Sequence, residues 1–370
     1  MTHLLTLNTG SSSVKFRLFG LEKTLPLLAG GKISGIGGTP VFDVSKENGV
    51  PETYPLSEGL SHEEAIDLVL KWLEDNRLPT SVVAHRIVHG GEQYAAPVKL
   101  DEGAMKYLRS LEPLAPLHQP HNLAAVDILQ SRQPGLPQMG CFDTAFHARH
   151  GRLFNEFALP QSIRDQGVKR YGFHGLSYDW IAHCLKTDYP HLVEGKVVVA
   201  HLGNGASLCA MQNGRSIDTT MGMTALDGLP MGTRCGALDA GAVLYIIRTL
   251  GLSPDETENI LYNESGLKGL SGLTNDVKVL SESTDKKAAF ALEYFALKTA
   301  QYIAAMATSL GGMDALIFTG GIGENSEKIR IMILRHLSFL PPFEHHIIPA
   351  NEERAMAIEI WRNFQKEMHP

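Results

Sequence analysis

No apolar run in the chain reaches the length of a membrane-spanning helix, so no transmembrane span is expected. Cysteine is scarce. The four residues Cys141, Cys184, Cys209 and Cys235 show no C-x-x-C spacing, which argues against a zinc site or a disulfide framework and for a reducing, cytoplasmic setting. Positive charge is not in excess: the formal net charge is −7, which disfavours nucleic acid and anionic membrane surfaces as partners. Met1-Thr2-His3-Leu4 places no basic region before its apolar run, so a cleaved signal peptide is not expected. No low-complexity linker is present, and no segment fits the P-loop pattern G-x-x-x-x-G-K-[ST]. What remains is the composition of a globular protein, 44% hydrophobic and 20% charged, with 370 residues pointing to about two domains.

One pattern occurs twice. The apolar run Leu4 to Leu7 enters the turn Asn8-Thr9-Gly10-Ser11-Ser12-Ser13 and then Val14 to Phe19. Half a chain later, Val197 to Ala200 enters His201-Leu202-Gly203-Asn204-Gly205-Ala206-Ser207 and then Leu208 to Met211. A strand, a tight small-residue turn and a second strand, repeated, read as a duplicated domain. Small turn residues bring backbone N–H groups close to an anion, so two such turns suit a polyphosphate. Either turn alone reads better as an ordinary β-hairpin, because short glycine motifs recur by chance.

Around these turns the chain alternates strand and helix patterns. Residues 3–46 read as several strands broken at Gly30-Gly31 and Gly37-Gly38. Ser61 and Glu64 form a capping-box pattern before a helix with Ile66, Val69, Leu70 and Leu73 on one face. Ser81 to Ile87 and Gly140 to Phe146 read as strands, and Asn122 to Ser131 as a helix. Asn213-Gly214 signals a hairpin. Helices are expected over 237–250, 254–262 and 286–310, the last buried in its domain or at a subunit interface, and again from about Asn351. Ala315 to Phe318 is a strand opening into Gly320-Gly321-Ile322-Gly323.

Polar residues cluster at strand ends. Arg86 lies in an apolar strand and Arg234 between glycines in an apolar segment. Arginine grips carboxylate and phosphate oxygens with paired donors, and each arginine reads equally as half of a buried ion pair. His174, in Tyr171-Gly172-Phe173-His174-Gly175, and His118 sit at turns. Most of the sixteen histidines must be structural, so a lone histidine decides little.

The strings LNTGSSSVKF, HRIVHGGE, APLH, FDTAFH, RYGFHGLS, HLGNGAS, DTTMGMT, GLPMGTR, FTGGIGEN and PANEE stand in the order and rough spacing of the acetate kinase family, and the resemblance spans nearly the whole chain. It implies an α/β fold of two duplicated actin-like ATPase domains. Each is a ribonuclease H-like mixed five-stranded sheet with helices on both faces, and the pair surrounds a nucleotide cleft. The expected domains are 1–147, joined by a returning helix 355–370, and 148–354, the latter binding nucleotide and forming a homodimer. The implied reaction is reversible, direct in-line phosphoryl transfer from ATP to acetate, giving acetyl phosphate and ADP, with Mg2+ or Mn2+. Its implied catalytic residues are Arg86, His118, Asp143, His174 and Arg234, with Asn8 and Glu352 at the metal. Val88, Leu117, Phe173 and Ala225, beside Arg86, would form the substrate pocket. Lys15, His201, Leu202, Gly203, Asn204, Gly205, Asp276, Lys278, Gly321, Ile322, Gly323, Glu324 and Asn325 would contact nucleotide.

The chain departs from the family pattern in several places. Ala225 stands where the family usually has proline, at the border of the acyl pocket. Cys235, Ala237 and Ala240 replace serine, aspartate and proline, and Lys278 replaces an arginine on the adenosine side. The stretch between Leu340 and Ile347 is shortened. Two alternatives follow: a propionate or butyrate kinase on the same fold, and a non-catalytic nucleotide-binding protein, since fold alone does not fix function. Joint retention of Asn8, Arg86, Asp143, His174, Arg234 and Glu352 speaks against the second.

Overall fold

A computed structural model describes residues 2–368, with side chains described through residue 365. The chain forms two compact units, Met1–Ala145 with Asn351–Pro370, and Phe146–Ala350.

The first unit is built on an eight-stranded sheet. Its strands are β1 (His3–Gly10), β2 (Ser13–Gly20), β3 (Leu27–Ser34), β4 (Val41–Lys46), β5 (Glu52–Pro55), β6 (Val82–Ile87), β7 (Val98–Lys99) and β8 (Gln138–Phe142), in the order β5-β4-β3-β2-β1-β6-β8-β7. The second unit holds a five-stranded sheet of β9 (Lys196–Leu202), β10 (Ala206–Gln212), β11 (Arg215–Thr219), β12 (Ala315–Thr319) and β13 (Glu344–Ile347), in the order β11-β10-β9-β12-β13.

The duplication is visible strand by strand. In the first unit, β3, β2 and β1 run antiparallel, and β6 and β8 then continue parallel to β1. In the second, β11, β10 and β9 run antiparallel, and β12 and β13 continue parallel to β9. The expected five-strand sheet is thus present twice, and the first copy gains β4, β5 and β7 at its edges. The small-residue turns occupy equivalent places, between β1 and β2 and between β9 and β10.

Gly30-Gly31 does not break a strand; both residues lie inside β3. A Cβ on Gly31 would come 2.6 Å from the Asp43 carbonyl oxygen and 2.8 Å from the Phe16 ring. The glycine serves close packing there, whereas the chain does turn at Gly35 and Gly37, where φ is positive. Asn213 and Gly214 both adopt positive φ, as a two-residue hairpin between β10 and β11 requires.

Helices cover the sheets through apolar stripes. The helix His62–Asp75 starts at the Ser61 capping box and buries Ala65, Ile66, Val69 and Leu73 against Leu5, Leu7, Val14 and Phe16. Side chains alternate along β1, so Asn8 belongs to the opposite face, where it meets the helix Glu352–Met368. In the second unit the helix Lys286–Leu310 buries Ala288, Leu292, Phe295, Thr299 and Ile303 and packs on β9, β10 and β11. Among the described residues, no helix is long and apolar enough to cross a membrane.

Candidate active site

Two sets of polar residues form, one in each unit. In the first, Asn8 from β1, Arg86 from β6, Asp143 after β8 and Glu352 at the start of the C-terminal helix converge. The parallel register pairs Leu7 with His85, which brings Asn8 beside Arg86. Arg86 Nη2 donates to Asp143 Oδ2 at 2.7 Å, and its Nε donates to both Asp143 oxygens at 3.1 and 3.2 Å. Its Nη1 donates to Glu352 Oε2 at 2.7 Å and to Asn8 Oδ1 at 3.4 Å. Asn8 Nδ2 also donates to Glu352 Oε2, at 3.0 Å.

The ion-pair alternative for Arg86 is therefore realised, and it involves two carboxylates. Burial alone would lower the Arg86 pKa; Asp143 and Glu352 outweigh it and raise the pKa well above the ordinary value. The guanidinium is a permanent cation with its plane fixed by Asp143. Lys15 is the cross-strand neighbour of Asn8 and is exposed, so it belongs with this set. His118 caps the helix Gln119–Arg132, its N–H donating to the Ala115 carbonyl. Val88 is buried and Leu117 half-buried; the Val88 N–H donates to Asn122 Oδ1.

Two carboxylates share the one guanidinium of the ion-paired cluster, with the Lys15 ammonium exposed beside it. Mg2+ takes oxygen ligands, keeps several waters and binds through one or two carboxylates plus substrate phosphates. The Glu352 carboxylate and the Asn8 amide oxygen fit that chemistry. A dedicated protein cage is a different matter: among the described residues, no cluster of three or more His, Cys, Asp or Glu side chains is placed to hold a metal.

In the second unit His174 caps the helix Gly175–Asp188 in the left-handed conformation, with φ 58° and ψ 21°. Its Nδ1 lies 2.8 Å from Ser207 Oγ, and its ring stacks on His201 with centroids 4.3 Å apart. His201 Nδ1 is in turn 2.9 Å from Ser177 Oγ. These contacts aim His174 Nε2 at Gly205. A Cβ built on Gly205 would lie 3.2 Å from His174 Nε2 and 3.8 Å from Arg234 Nη1. His174 Nε2 and Arg234 Nη1 thus both lie close to Gly205, where a side chain would crowd the imidazole.

Arg234 differs from Arg86. Its Nη1 donates to the Ala225 carbonyl at 3.0 Å, and burial lowers its pKa, with a smaller opposing influence from Tyr262. A cation disfavoured by burial gains from an incoming anion. Phe173, next to His174, is fully buried, and Ala225 is half-buried.

Beside this set lies an open cavity of about 640 Å³, lined by Asn204, Asp276, Lys278, Gly321, Ile322 and Asn325 among others. Its volume suits a nucleoside. Six of the residues expected at the nucleotide therefore share one wall. Others stand apart from it. The Leu202 side chain is in the core, so only its backbone is available. Gly323 packs toward β9, and Glu324 Oε1 accepts from the Gly320 and Ala350 N–H groups. Gly203 and His201 lie near the Gly321 amide: a Cβ on Gly203 would be 3.9 Å from both Gly321 N and His201 Nε2.

Sequence reasoning missed Ser177 and Ser207, which orient the two histidines, and Asn275, whose Nδ2 donates to Asn204 Oδ1 at 2.9 Å. Ser207 lies inside the repeated turn motif, and its place on β10 was the available signal. Ser177 closes the string RYGFHGLS, which was its available signal, whereas Asn275 carries no local signature.

A family model described as the Acetokinase family matches residues 3–351. An acetate kinase of Nitrobacter hamburgensis is 45% identical over 346 residues, spanning 92% of this chain and 86% of that protein. An acetate kinase of Rhodopseudomonas palustris is 47% identical over 347 residues, with 91% and 86% covered. Among solved structures, a propionate kinase from Francisella tularensis matches with a TM-score of 0.89 at 33% identity, covering 97% of this chain and 99% of that one. Porphyromonas gingivalis acetate kinase matches with a TM-score of 0.83 at 29% identity, covering 99% and 100%. Sequence match, strand order and full-length structural similarity lead to the same place: this chain belongs to the acetokinase family.

Proposed function

We propose that the protein catalyses reversible, direct in-line phosphoryl transfer from ATP to acetate, giving acetyl phosphate and ADP. The observation that carries this reading is the convergence of His174 Nε2 and Arg234 Nη1 over Gly205. An imidazole and a guanidinium side by side at a glycine suit the stabilisation of a transferring phosphoryl group.

The chemistry asks little else of the protein. Acetate is ionised at neutral pH, so the nucleophile needs no general base. The barrier is the approach of an anion to a polyanion. Arg86 and Arg234 hold the acyl carboxylate and the transferring phosphoryl group, and His174 donates to the phosphoryl oxygens as charge builds in the transition state. Asp143 fixes the Arg86 plane and keeps it charged. Asn8 and Glu352 would hold Mg2+, which neutralises charge on the nucleotide phosphates when bound. Val88, Leu117, Phe173 and Ala225 supply the apolar contacts of the acyl group. Adenosine occupies the cavity beside Lys278, Ile322 and Asn325.

One observation favours a second acyl substrate. Ala225 presents a methyl group where family members usually carry the larger proline, and its carbonyl is held by Arg234. A methylene in an apolar pocket discriminates by about 1–3 kcal/mol, so propionate is expected as a substrate within about tenfold of acetate. Trapping the acyl phosphate as its hydroxamate with acetate, propionate and butyrate tests both points. Product from acetate supports the reading, and product from none of the three removes it. Propionate used a hundredfold less well removes the argument from Ala225.

The protein is also proposed to form a homodimer through its second unit. The helix Ala240–Arg248, AGAVLYIIR, is largely apolar, yet all nine residues stay at least partly exposed, with Leu244 48% and Tyr245 56% accessible. Leu238 and Leu250 extend the same exposed apolar surface. Exposed apolar side chains in that number support a role for this helix in association.

A further inference from the structure

The segment that carries His174 is held from behind by a buried polar chain that the proposed reaction does not use. His147 is 1% exposed. Its Nε2 lies 2.9 Å from the Phe173 carbonyl oxygen and its Nδ1 2.7 Å from Ser216 Oγ. A carbonyl can only accept, so Nε2 carries the proton and Nδ1 accepts from the Ser216 hydroxyl. Ser216 has one proton to give. Its oxygen therefore accepts from His150 Nε2, 2.6 Å away. The order His150 to Ser216 to His147 to the Phe173 carbonyl follows, with both imidazoles neutral. Burial keeps them so, driving His147 down to about 3 and His150 down to about 4.

The Phe173 carbonyl shares its peptide plane with the His174 N–H. Its orientation is therefore tied to the His174 φ of +58°, in the left-handed region that is unfavourable for a residue with a Cβ. Gly172 packs directly on the His147 ring: a Cβ there would come 2.7 Å from Cδ2 and 2.6 Å from Thr219 Cγ2. The turn Gly172-Phe173-His174 is thus moulded on an imidazole.

We propose that His147 is a positioning residue for phosphoryl transfer, which acts by fixing the Phe173 carbonyl and so holds His174 in the conformation that aims its Nε2 over Gly205. This rests on the phosphoryl-transfer reading of His174.

The test is a double-mutant cycle on the full chain, with His147→Ala, His147→Gln and Ser216→Ala made in wild type and in His174→Ala, and kcat and KM measured for ATP and acetate. Misplacing a reacting group by an ångström costs on the order of a hundredfold. His147→Ala is expected to lower kcat by about ten- to a hundredfold and to change the KM for ATP by less than about twofold. His147→Gln, whose amide N–H reaches about as far as Nε2, is expected to restore most of the rate. Ser216→Ala, which frees the His147 tautomer, is expected to cost several-fold. None of the three is expected to lower kcat further once His174 is alanine. An equal fold-loss in both backgrounds overturns the proposal, as does an unchanged kcat in His147→Ala. A wild-type rate in His174→Ala alone overturns the reading of His174 instead. Should His147→Ala fail to fold, His147→Gln and Ser216→Ala decide: a rate loss that survives in the His174→Ala background counts against the proposal.

Discussion

Gly205→Ala adds one methyl group at the point where the two donors of the second unit converge. Gly205 is not in the left-handed region, so alanine adopts its backbone without strain. The new Cβ would stand 3.2 Å from His174 Nε2, 3.4 Å from its Cε1 and 3.8 Å from Arg234 Nη1. The first contact is tight, and the imidazole must give by a few tenths of an ångström. It cannot swing freely, because Nδ1 is bound to Ser207 and the ring is stacked on His201. Folding should suffer little. Gly→Ala at a compatible backbone gains about 0.4–1 kcal/mol and mild overpacking costs about 1–3, so the net cost stays below about 3 kcal/mol. Turnover should suffer much more. The methyl group fills the volume that the phosphoryl oxygens need, and losing one preorganised donor costs about 2.7–4 kcal/mol, or roughly 10²–10³ in kcat. Steady-state rates and a thermal melt on the same preparation measure both. A Gly205→Ala protein with wild-type kcat would refute the assignment of this space to the transferring group.

Arg86→Ala and Arg234→Ala should each reduce kcat by about 10³-fold or more while calorimetric binding of Mg2+-ATP stays nearly unchanged. Arg86→Ala should also destabilise the fold by about 3–5 kcal/mol, because Asp143 and Glu352 lose their shared cation, and a denaturant titration reads this. Lys278→Arg should lower the KM for ATP, since a planar guanidinium stacks on a base and an ammonium does not; identical Michaelis constants for ATP and GTP before and after would remove Lys278 from the base pocket. Ala225→Pro should shift the ratio of kcat/KM toward acetate over propionate. Leu244→Asp with Tyr245→Asp should yield a monomer in light scattering coupled to gel filtration, and a wild-type monomer would end the dimer proposal.

The legible parts of the fold were those that repeat or carry a strong period. The paired strand-turn-strand units stood out because an apolar run beside Gly, Ser and Asn has few other readings. The helix Lys286–Leu310 was legible to its ends, with Asp285 capping the start and Gly311 in the left-handed conformation closing it. Edge elements were not: β5 is exposed along its whole length and β7 has two residues, so neither has an apolar alternation to read. Gly30-Gly31 misled because glycine signals a turn and a close approach with the same letter. The helix Gly175–Asp188 was silent because it opens with His174 in an unusual conformation and no side-chain cap.

For the candidate site, the residues that bear charge were legible and those that orient them were not. Arg86 stood out as a cation in an apolar strand, and the structure supplied its two carboxylates. Ser207, Ser177 and His147 gave no comparable signal, because a hydroxyl or imidazole that holds another side chain is defined by contacts far apart in sequence: His147 and Ser216 are 69 residues apart.

The central claim is that acetate receives the γ-phosphoryl group of ATP directly. Phosphorus-31 NMR of the purified protein with ATP, Mg2+ and acetate tests it most directly. The account predicts acetyl phosphate and ADP appearing in equal amounts, without accumulation of inorganic phosphate, and the reverse conversion when acetyl phosphate and ADP are supplied. ATP consumed with only inorganic phosphate formed, or ATP left intact in the presence of acetate, would contradict it.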